Sequence, residues 1–424
     1  MTDSGDVMRS IAEIDERIHR GEATVLTAEE VRGLAEEGAV GELQDVDVVT
    51  TATRAVMSGT YAVLSFGFAE KGSFTRAVSA RINGVPAHVG PCPNERMGHI
   101  DLIVFGTAHR DGRYGGGHLF RDLVAGRSVC VDVETSDGRS ISRDITLDEI
   151  PHARIFGTRH AFMNYSAFVN TGSDALSTIF HAIPFPPAMS GASFSGCGIL
   201  NPLQNDPLLE AIGIGTRVLI NGAEGFVIGT GTRSTPDRPN LSGFADMHQM
   251  MPEFMGGFVT SAGPECITSW AVPVPVLSRH VLDAAVLPER SIPMPVMDIR
   301  TRSTMWTADY AQVWQDVDLA VHVRPDSCRD CRDCIAERRC PMGAIERPVR
   351  INRSLCFNCG LCSVLCPDVF HARLGSIRSP DGLDIPVTLR QSDRLRAVRL
   401  AEMLKKRILD GSFRISACVE ILSP

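Results

Sequence analysis

No apolar run in the chain approaches the ~20 residues of a membrane span, and residues 1–6 are polar and acidic rather than basic and then apolar. Neither a membrane anchor nor a secretory leader is therefore expected. A basic excess is missing too: 42 Lys and Arg face 50 Asp and Glu, for a net charge of −8. That balance gives no reason to expect a nucleic-acid partner. There is no G-x-x-x-x-G-K-[ST] and no strand-bound G-x-G-x-x-G, so nucleotide binding is unsupported. Outside one cysteine-rich stretch, no His, Asp or Glu spacing reads as a metal site. What remains is an ordinary soluble composition over 424 residues, enough for two or three domains.

The cysteines carry the most specific signal. Eight of the 13 lie between 328 and 366. The second half of that stretch is Cys356, Cys359, Cys362 and Cys366-Pro367, the C-x2-C-x2-C-x3-C-P spacing of bacterial proteins that hold [4Fe–4S] clusters. The first half repeats the triplet as Cys328, Cys331 and Cys334, then has five residues before Cys340-Pro341 instead of three. Three thiolates at i, i+3 and i+6 wrap three corners of a cubane, and the fourth corner is closed from the other half. This predicts Cys328, Cys331, Cys334 and Cys366 on one cluster, and Cys356, Cys359, Cys362 and Cys340 on the other. Zinc ribbons use two C-x2-C pairs rather than two triplets with Cys-Pro, and a disulfide framework needs an oxidising compartment. Two [4Fe–4S] clusters fed by a low-potential electron donor, in the reducing cytoplasm, are the expectation. Seven arginines between Arg329 and Arg353 are either near enough to raise the cluster potentials or a solvated basic face.

The rest predicts a large mixed α/β or α+β domain over residues 1–315. A ferredoxin-like α+β module with pseudo-two-fold symmetry follows over 316–380, then a helix and tail over 381–424. Ile11, Ile14 and Ile18 recur at helical spacing, and Thr27-Ala28-Glu29-Glu30 forms a capping box before Val31 and Leu34. Strands are read at 46–49, before a small-residue turn at 50–53, and at 81–85, 102–104, 128–133, 218–220 and 226–228. Asn221-Gly222 reads as a hairpin turn. Prolines from Pro273 to Pro295 predict an extended linker, and residues 390–409 predict a helix.

Candidate reactive groups lie in the large domain. Cys197, in Ser195-Gly196-Cys197-Gly198, is flanked by glycines whose amides can lower a thiol pKa and leave room for a substrate. Cys266 follows Gly263-Pro264-Glu265 and is the second candidate. Cys130, on an alternating strand, reads as a core thiol, and Cys418 as structural; Cys92 sits in a Pro-Cys-Pro turn of unclear role. His118 and His248 are candidate general acids. Arg217 and Arg233, each ending a small-residue turn, are candidate partners for an anionic substrate, or else surface arginines of tight hairpins.

Several stretches carry a family likeness: HRGEATVLTAEE (19–30), VDVVTT (46–51), INGVPAHVG (82–90), GGGHLFRDLVAG (115–126), NDPLLEAIGIGTRVLINGAEGFVIGTGT (205–232) and VPVPVL (272–277). Over residues 8–315 the chain resembles the homocysteine biosynthesis protein family. The added dicluster stretch is similar to the subgroup called methanogenesis marker 16 metalloprotein. The resemblance implies a sulfurtransferase that turns an aldehyde into a thiol with electrons from iron–sulfur clusters. Aspartate semialdehyde to homocysteine is one such reaction, and sulfoacetaldehyde to coenzyme M another. It implies a small acidic aldehyde, a sulfide or persulfide donor and a reductant as partners. The family's cysteine near the first strand falls where this chain has Val56-Met57-Ser58-Gly59, and a second falls near Ser140 and Ser142. That departure raises Cys197 and Cys266 as replacements, with Cys197 carrying sulfur and Arg217 or Arg233 holding the acid group. An electron-transfer protein, or a reductase with no sulfur step, are the competing readings.

Overall fold

A computed structural model describes residues 8–90 and 96–422; Cys92 lies outside the described residues. The fold is mixed α and β, organised by two sheets. The larger has 14 strands, and Val46–Val56 and Gly263–Pro275 run antiparallel near one end of it. The first of these, VDVVTTATRAV, is buried over ten of its eleven positions. A β-branched run without alternation is what a strand covered on both faces requires. The turn expected at 50–53 is therefore absent: the small residues Thr50 to Thr53 continue the strand, paired with Pro273 to Trp270.

One face of this strand pair is covered by the helix Arg394–Leu409. Its buried Ala397, Leu400, Ala401, Leu404 and Ile408 recur every three or four residues, the single apolar stripe of a core-facing helix. Asp393 caps its first turn by accepting the Arg396 backbone N–H. The preceding residues do not begin the helix. They form the strand Asp384–Arg390, which lies parallel to Ala192–Phe194 in the six-stranded sheet and antiparallel to Ser376–Arg378. Residues 376–409 thus return to the main body, and a boundary at 380 would cut a hairpin.

Other elements differ from the sequence reading for local reasons. Residues 81–85 are not one strand: Asn83 and Gly84 take φ of 48° and 78°, turning Ala77–Ile82 back onto Val85–Val89. Asn221-Gly222 does the same between Arg217–Ile220 and Ala223–Thr230. The proline-rich segment is broken by the helix Arg279–Ala285, capped by Ser278, before the strand Pro293–Asp298. Capping boxes open Ile11–Arg20 and Ala28–Glu36.

Residues 320–375 hold two short antiparallel pairs, His322–Val323 with Phe370–His371 and Ile345–Glu346 with Arg350–Ile351, and two short helices, Ile335–Arg339 and Leu361–Leu365. They enclose a small core of Val321, Ala336, Ile345, Val369 and Phe370.

A buried polar chain ties the sheet's centre together. Trp270 Nε1–H donates to His160 Nδ1 at 2.7 Å, and the other ring nitrogen lies 3.0 Å from Thr60 Oγ1. An indole N–H only donates, so Nδ1 carries no proton and the ring is neutral. Burial lowers the His160 pKa to about 3 and that of His181 to about 4. Both lie below the unfolded value of ~6.5, so the stability they contribute is present above that pH and lost as pH falls toward 4 and 3. Moving from pH 7 to 5 is expected to remove about 2 kcal/mol per histidine, at ~1.4 kcal/mol per unit. Urea midpoints at the two pH values test this: His160→Gln should flatten the loss, and an unchanged dependence would refute the assignment.

Candidate active site and cysteine cavities

Two cavities in the 320–375 region gather the eight cysteines. Cys328, Cys331, Cys334 and Cys366 line the outer one. Cys340, Cys356, Cys359 and Cys362 line the inner one, together with Phe357 and Leu361. Backbone N–H groups point at the sulfurs: Asp330 to Cys328 at 3.4 Å, Ala344 to Cys340 at 3.3 Å and Asn358 to Cys356 at 3.4 Å. Among the described residues no three His, Cys, Asp or Glu converge as a single-ion site. Four thiols spread around a space meet a different demand, that of a four-iron cubane in which each iron takes one thiolate. The residues present therefore fit such a group.

The two cavities differ in surroundings. Cys331 is exposed, whereas Cys359 is buried. The arginines around the outer loops face solvent and pair with surface carboxylates, as Arg338 does with Asp333 and Arg350 with Glu346. Arg347 also donates to the Cys331 carbonyl at 3.0 Å. The inner loop is pinned by buried charge: Arg54 bonds Asp393 at 2.7 Å with 1% and 0% of the side chains exposed. Asp393 also accepts from Asn358 Nδ2 at 3.1 Å, and Arg396 donates to the carbonyls of Cys356 and Arg353. Arg54 stacks on Phe357, whose edge meets Phe258.

Beside the inner cavity lies a pocket of about 70 Å³. It opens where four strands end: Val56 ends the first and Met57 and Ser58 follow it, Arg159 lies at the end of His152–His160, Ser195 follows Ala192–Phe194, and Gln391 follows Asp384–Arg390. Loops at strand ends are free to bind while the sheets hold them rigid. Phe162, Tyr165, Ile179 and Phe180 complete the wall. The pocket and the inner cysteines are directly connected. Arg390 N–H donates to the Cys359 carbonyl at 2.9 Å, the next residue is Gln391, and Val56 N–H donates to the Gln391 carbonyl at 3.1 Å. Val56 also packs on the small core that contains Cys359, Phe357 and Leu361.

The other candidates fall elsewhere. Cys197 has no exposed surface; it accepts from Thr53 Oγ1 at 3.7 Å and approaches the Arg54 carbonyl at 4.0 Å. Burial pushes its pKa up, so the environment is the reverse of the thiolate-favouring loop expected. Cys266 is equally buried and burial pushes it to about 12, although its own carbonyl accepts from the Met57 N–H that borders the pocket. Neither thiol is on the pocket wall. Cys130 is not a core thiol; it points outward beside Asp132.

His118 closes a helix start, its Nδ1 accepting from Gly115 N–H at 3.2 Å, and burial lowers its pKa to about 4. A ring held neutral and engaged with backbone is a poor proton donor. His248 pairs with Asp246 at 2.7 Å. Arg217 is paired with Glu224 at 3.2 Å and stacks on Phe226, and Arg233 is exposed in a turn with φ of 63°. Both are hairpin arginines, not pocket residues. The residue missed was Arg159, which lacks any motif and is identified only by the pocket. Glu265, 6% exposed, lies behind that pocket near Ser58, and burial raises its pKa.

No helix among the described residues is long and apolar enough to cross a membrane. No solved structure matches the chain. An uncharacterized protein of Methanothermobacter thermautotrophicus is 47% identical over 409 residues, covering 96% of this chain and 94% of that protein. The L-aspartate semialdehyde sulfurtransferase of Methanocaldococcus jannaschii is 31% identical over 69% of this chain and 59% of its own length. The protein of the same name from Methanosarcina acetivorans is 28% identical over 72% and 63%. The family described as homocysteine biosynthesis enzyme, sulfur-incorporation, matches residues 23–415. The chain is thus an enzyme of the homocysteine biosynthesis family of sulfur-incorporating proteins.

Proposed function

We propose that this chain reductively inserts sulfur into a small acidic aldehyde to give a thiol, with the chemistry in the Met57–Ser58–Arg159–Gln391 pocket. Aspartate semialdehyde, giving homocysteine, and sulfoacetaldehyde, giving coenzyme M, are the two substrates of this class. The observation that carries the reading is the placement of this pocket one hydrogen bond and one residue from Cys359 of the inner cysteine ring. Two [4Fe–4S] clusters held by the two rings would supply two electrons, one at a time, from a low-potential donor.

The step balances with sulfide and two electrons from the low-potential donor. Hydrogen sulfide adds to the aldehyde carbon and the hydroxyl leaves as water, giving a thiocarbonyl. Two electrons and two protons then convert C=S to CH–SH. Phe162, Phe180 and Ile179 keep bulk water from the carbonyl carbon. Ser58 Oγ is the hydroxyl on the wall with a carboxyl, Glu265, behind it, and a carboxyl with a raised pKa suits a donor near neutrality. Because Cys197 and Cys266 are buried and held protonated, sulfur enters as sulfide or from a separate persulfide donor. A reducing compartment, the cytoplasm, fits both the thiols and the clusters.

Anaerobically purified protein, assayed for iron and labile sulfide and then given each aldehyde with sulfide and dithionite, tests this by mass spectrometry of the thiol. Cys197→Ala and Cys266→Ala are expected to keep sulfide-dependent turnover within about tenfold, since only a thiolate on the wall is a nucleophile. Abolition by either variant, with the iron content intact, would return sulfur carriage to that cysteine. Alcohol as the only product would establish a plain reductase, and no product an electron-transfer protein.

A further inference from the structure

We propose that Arg159 makes this pocket an anion site for an aldehyde carrying one carboxylate or sulfonate and no ammonium group. The inference rests on the proposed sulfur-insertion reading for the aldehyde, but its evidence is the charge pattern of the wall. Arg159 is half-buried at the end of His152–His160. Among the described residues its guanidinium makes no ion pair and no side-chain hydrogen bond. That distinguishes it from the buried Arg54, Arg394 and Arg396, each of which has a carboxylate partner.

The other polar groups on the wall are neutral: Ser58, Tyr165, Ser195 and Gln391. The Gln391 Nε2 is already spent on the Ile179 carbonyl at 2.8 Å. No Asp or Glu lines the pocket. The carboxyl behind it, Glu265, is buried near Ser58 and is itself pushed toward the neutral form by burial.

A planar guanidinium with free donors matches the paired oxygens of a carboxylate or sulfonate, and aromatic walls strengthen that attraction by excluding water. An amino-acid aldehyde such as aspartate semialdehyde brings an ammonium as well, so of the two substrates named above this wall favours the one without it. In this pocket the ammonium would face Arg159 and apolar rings without a carboxylate to accept from it, and a buried unpaired charge is disfavoured. The cavity of about 70 Å³ holds a small acid rather than a polymer. Selection against the ammonium therefore comes from what the wall lacks, and attraction of the acid from Arg159.

Binding of unreactive analogues decides the matter without turnover. Isothermal titration of the anaerobic full-length protein would use 2-hydroxyethanesulfonate, 3-hydroxypropionate, L-homoserine and ethylene glycol. At least one of the two simple acids is expected to bind, with homoserine and the glycol weaker by about tenfold or more. Arg159→Gln and Arg159→Met should abolish acid binding, and Arg159→Lys should retain part of it, all with unchanged iron content and circular dichroism. Homoserine binding as well as the acids would overturn the inference. So would unaltered acid affinity in Arg159→Gln, or no acid binding by the unmodified protein. Thiol formation can succeed or fail independently of these results, so the two proposals are separable.

Discussion

Cys359→Ser is expected to lower iron from about eight to about four atoms per chain and to reduce thiol formation to background. The inner ring of cysteines is the one that abuts the pocket: the Cys359 carbonyl accepts the Arg390 N–H, and Gln391 lines the wall. On the proposed reading, electrons enter the pocket through this ring. The matched variant is Cys331→Ser, in the exposed outer ring. It should likewise lose about four irons, those of the outer ring, yet keep part of its turnover when dithionite is the reductant, because a small reagent would reduce a cluster held by the inner ring directly. With a protein donor both variants should be inactive. Equal activities for the two variants under dithionite would sink the idea that the rings act in series, and eight irons in Cys359→Ser would sink the ligand assignment.

Asp393→Ala is expected to destabilise the protein by about 3–5 kcal/mol, because it leaves Arg54 buried without its counter-charge. About 1 kcal/mol more comes from the lost cap on Arg394–Leu409. The same carboxylate holds Asn358, two residues from Cys356, so the inner ring should also become labile. Urea midpoints measure the first effect, and the rate of iron loss to a chelator measures the second. Asp393→Asn keeps the volume and part of the cap, and should fall between Asp393→Ala and the unmodified chain. A cost below about 1 kcal/mol for Asp393→Ala would show that Arg54 finds another partner or water, contrary to its burial. Removing both charges with Arg54→Met and Asp393→Leu should cost less than Asp393→Ala alone, since Arg54 is then no longer a buried unpaired charge and Arg396, which also loses Asp393, keeps the carbonyls of Cys356 and Arg353.

These two sites mark the limits of what could be read from the chain. The Cys triplets at three-residue intervals, the capping boxes at Ser10 and Thr27 and the hairpin at Asn221-Gly222 are local: neighbours in sequence impose them through turn geometry and short hydrogen bonds. In the middle of the run 46–56, threonine and alanine fit a turn as well as a strand. Only pairing with Gly263–Pro275, more than 200 residues later, decides between them.

Reactivity was the least legible property. Glycines beside Cys197 describe the backbone there but say nothing about the strand and helix that bury the thiol, and desolvation is set by those distant elements. Arg217 and Arg233 stood out by their motifs, while Arg159, which has none, lines the pocket because four strand ends from two sheets meet there. By itself the sequence determined the local spacing of the two sets of cysteines and the family to which the chain belongs. The tertiary structure alone decided which ring faces the pocket, which arginine is left unpaired and which cysteines are sealed away, because each depends on burial by residues far apart in the chain.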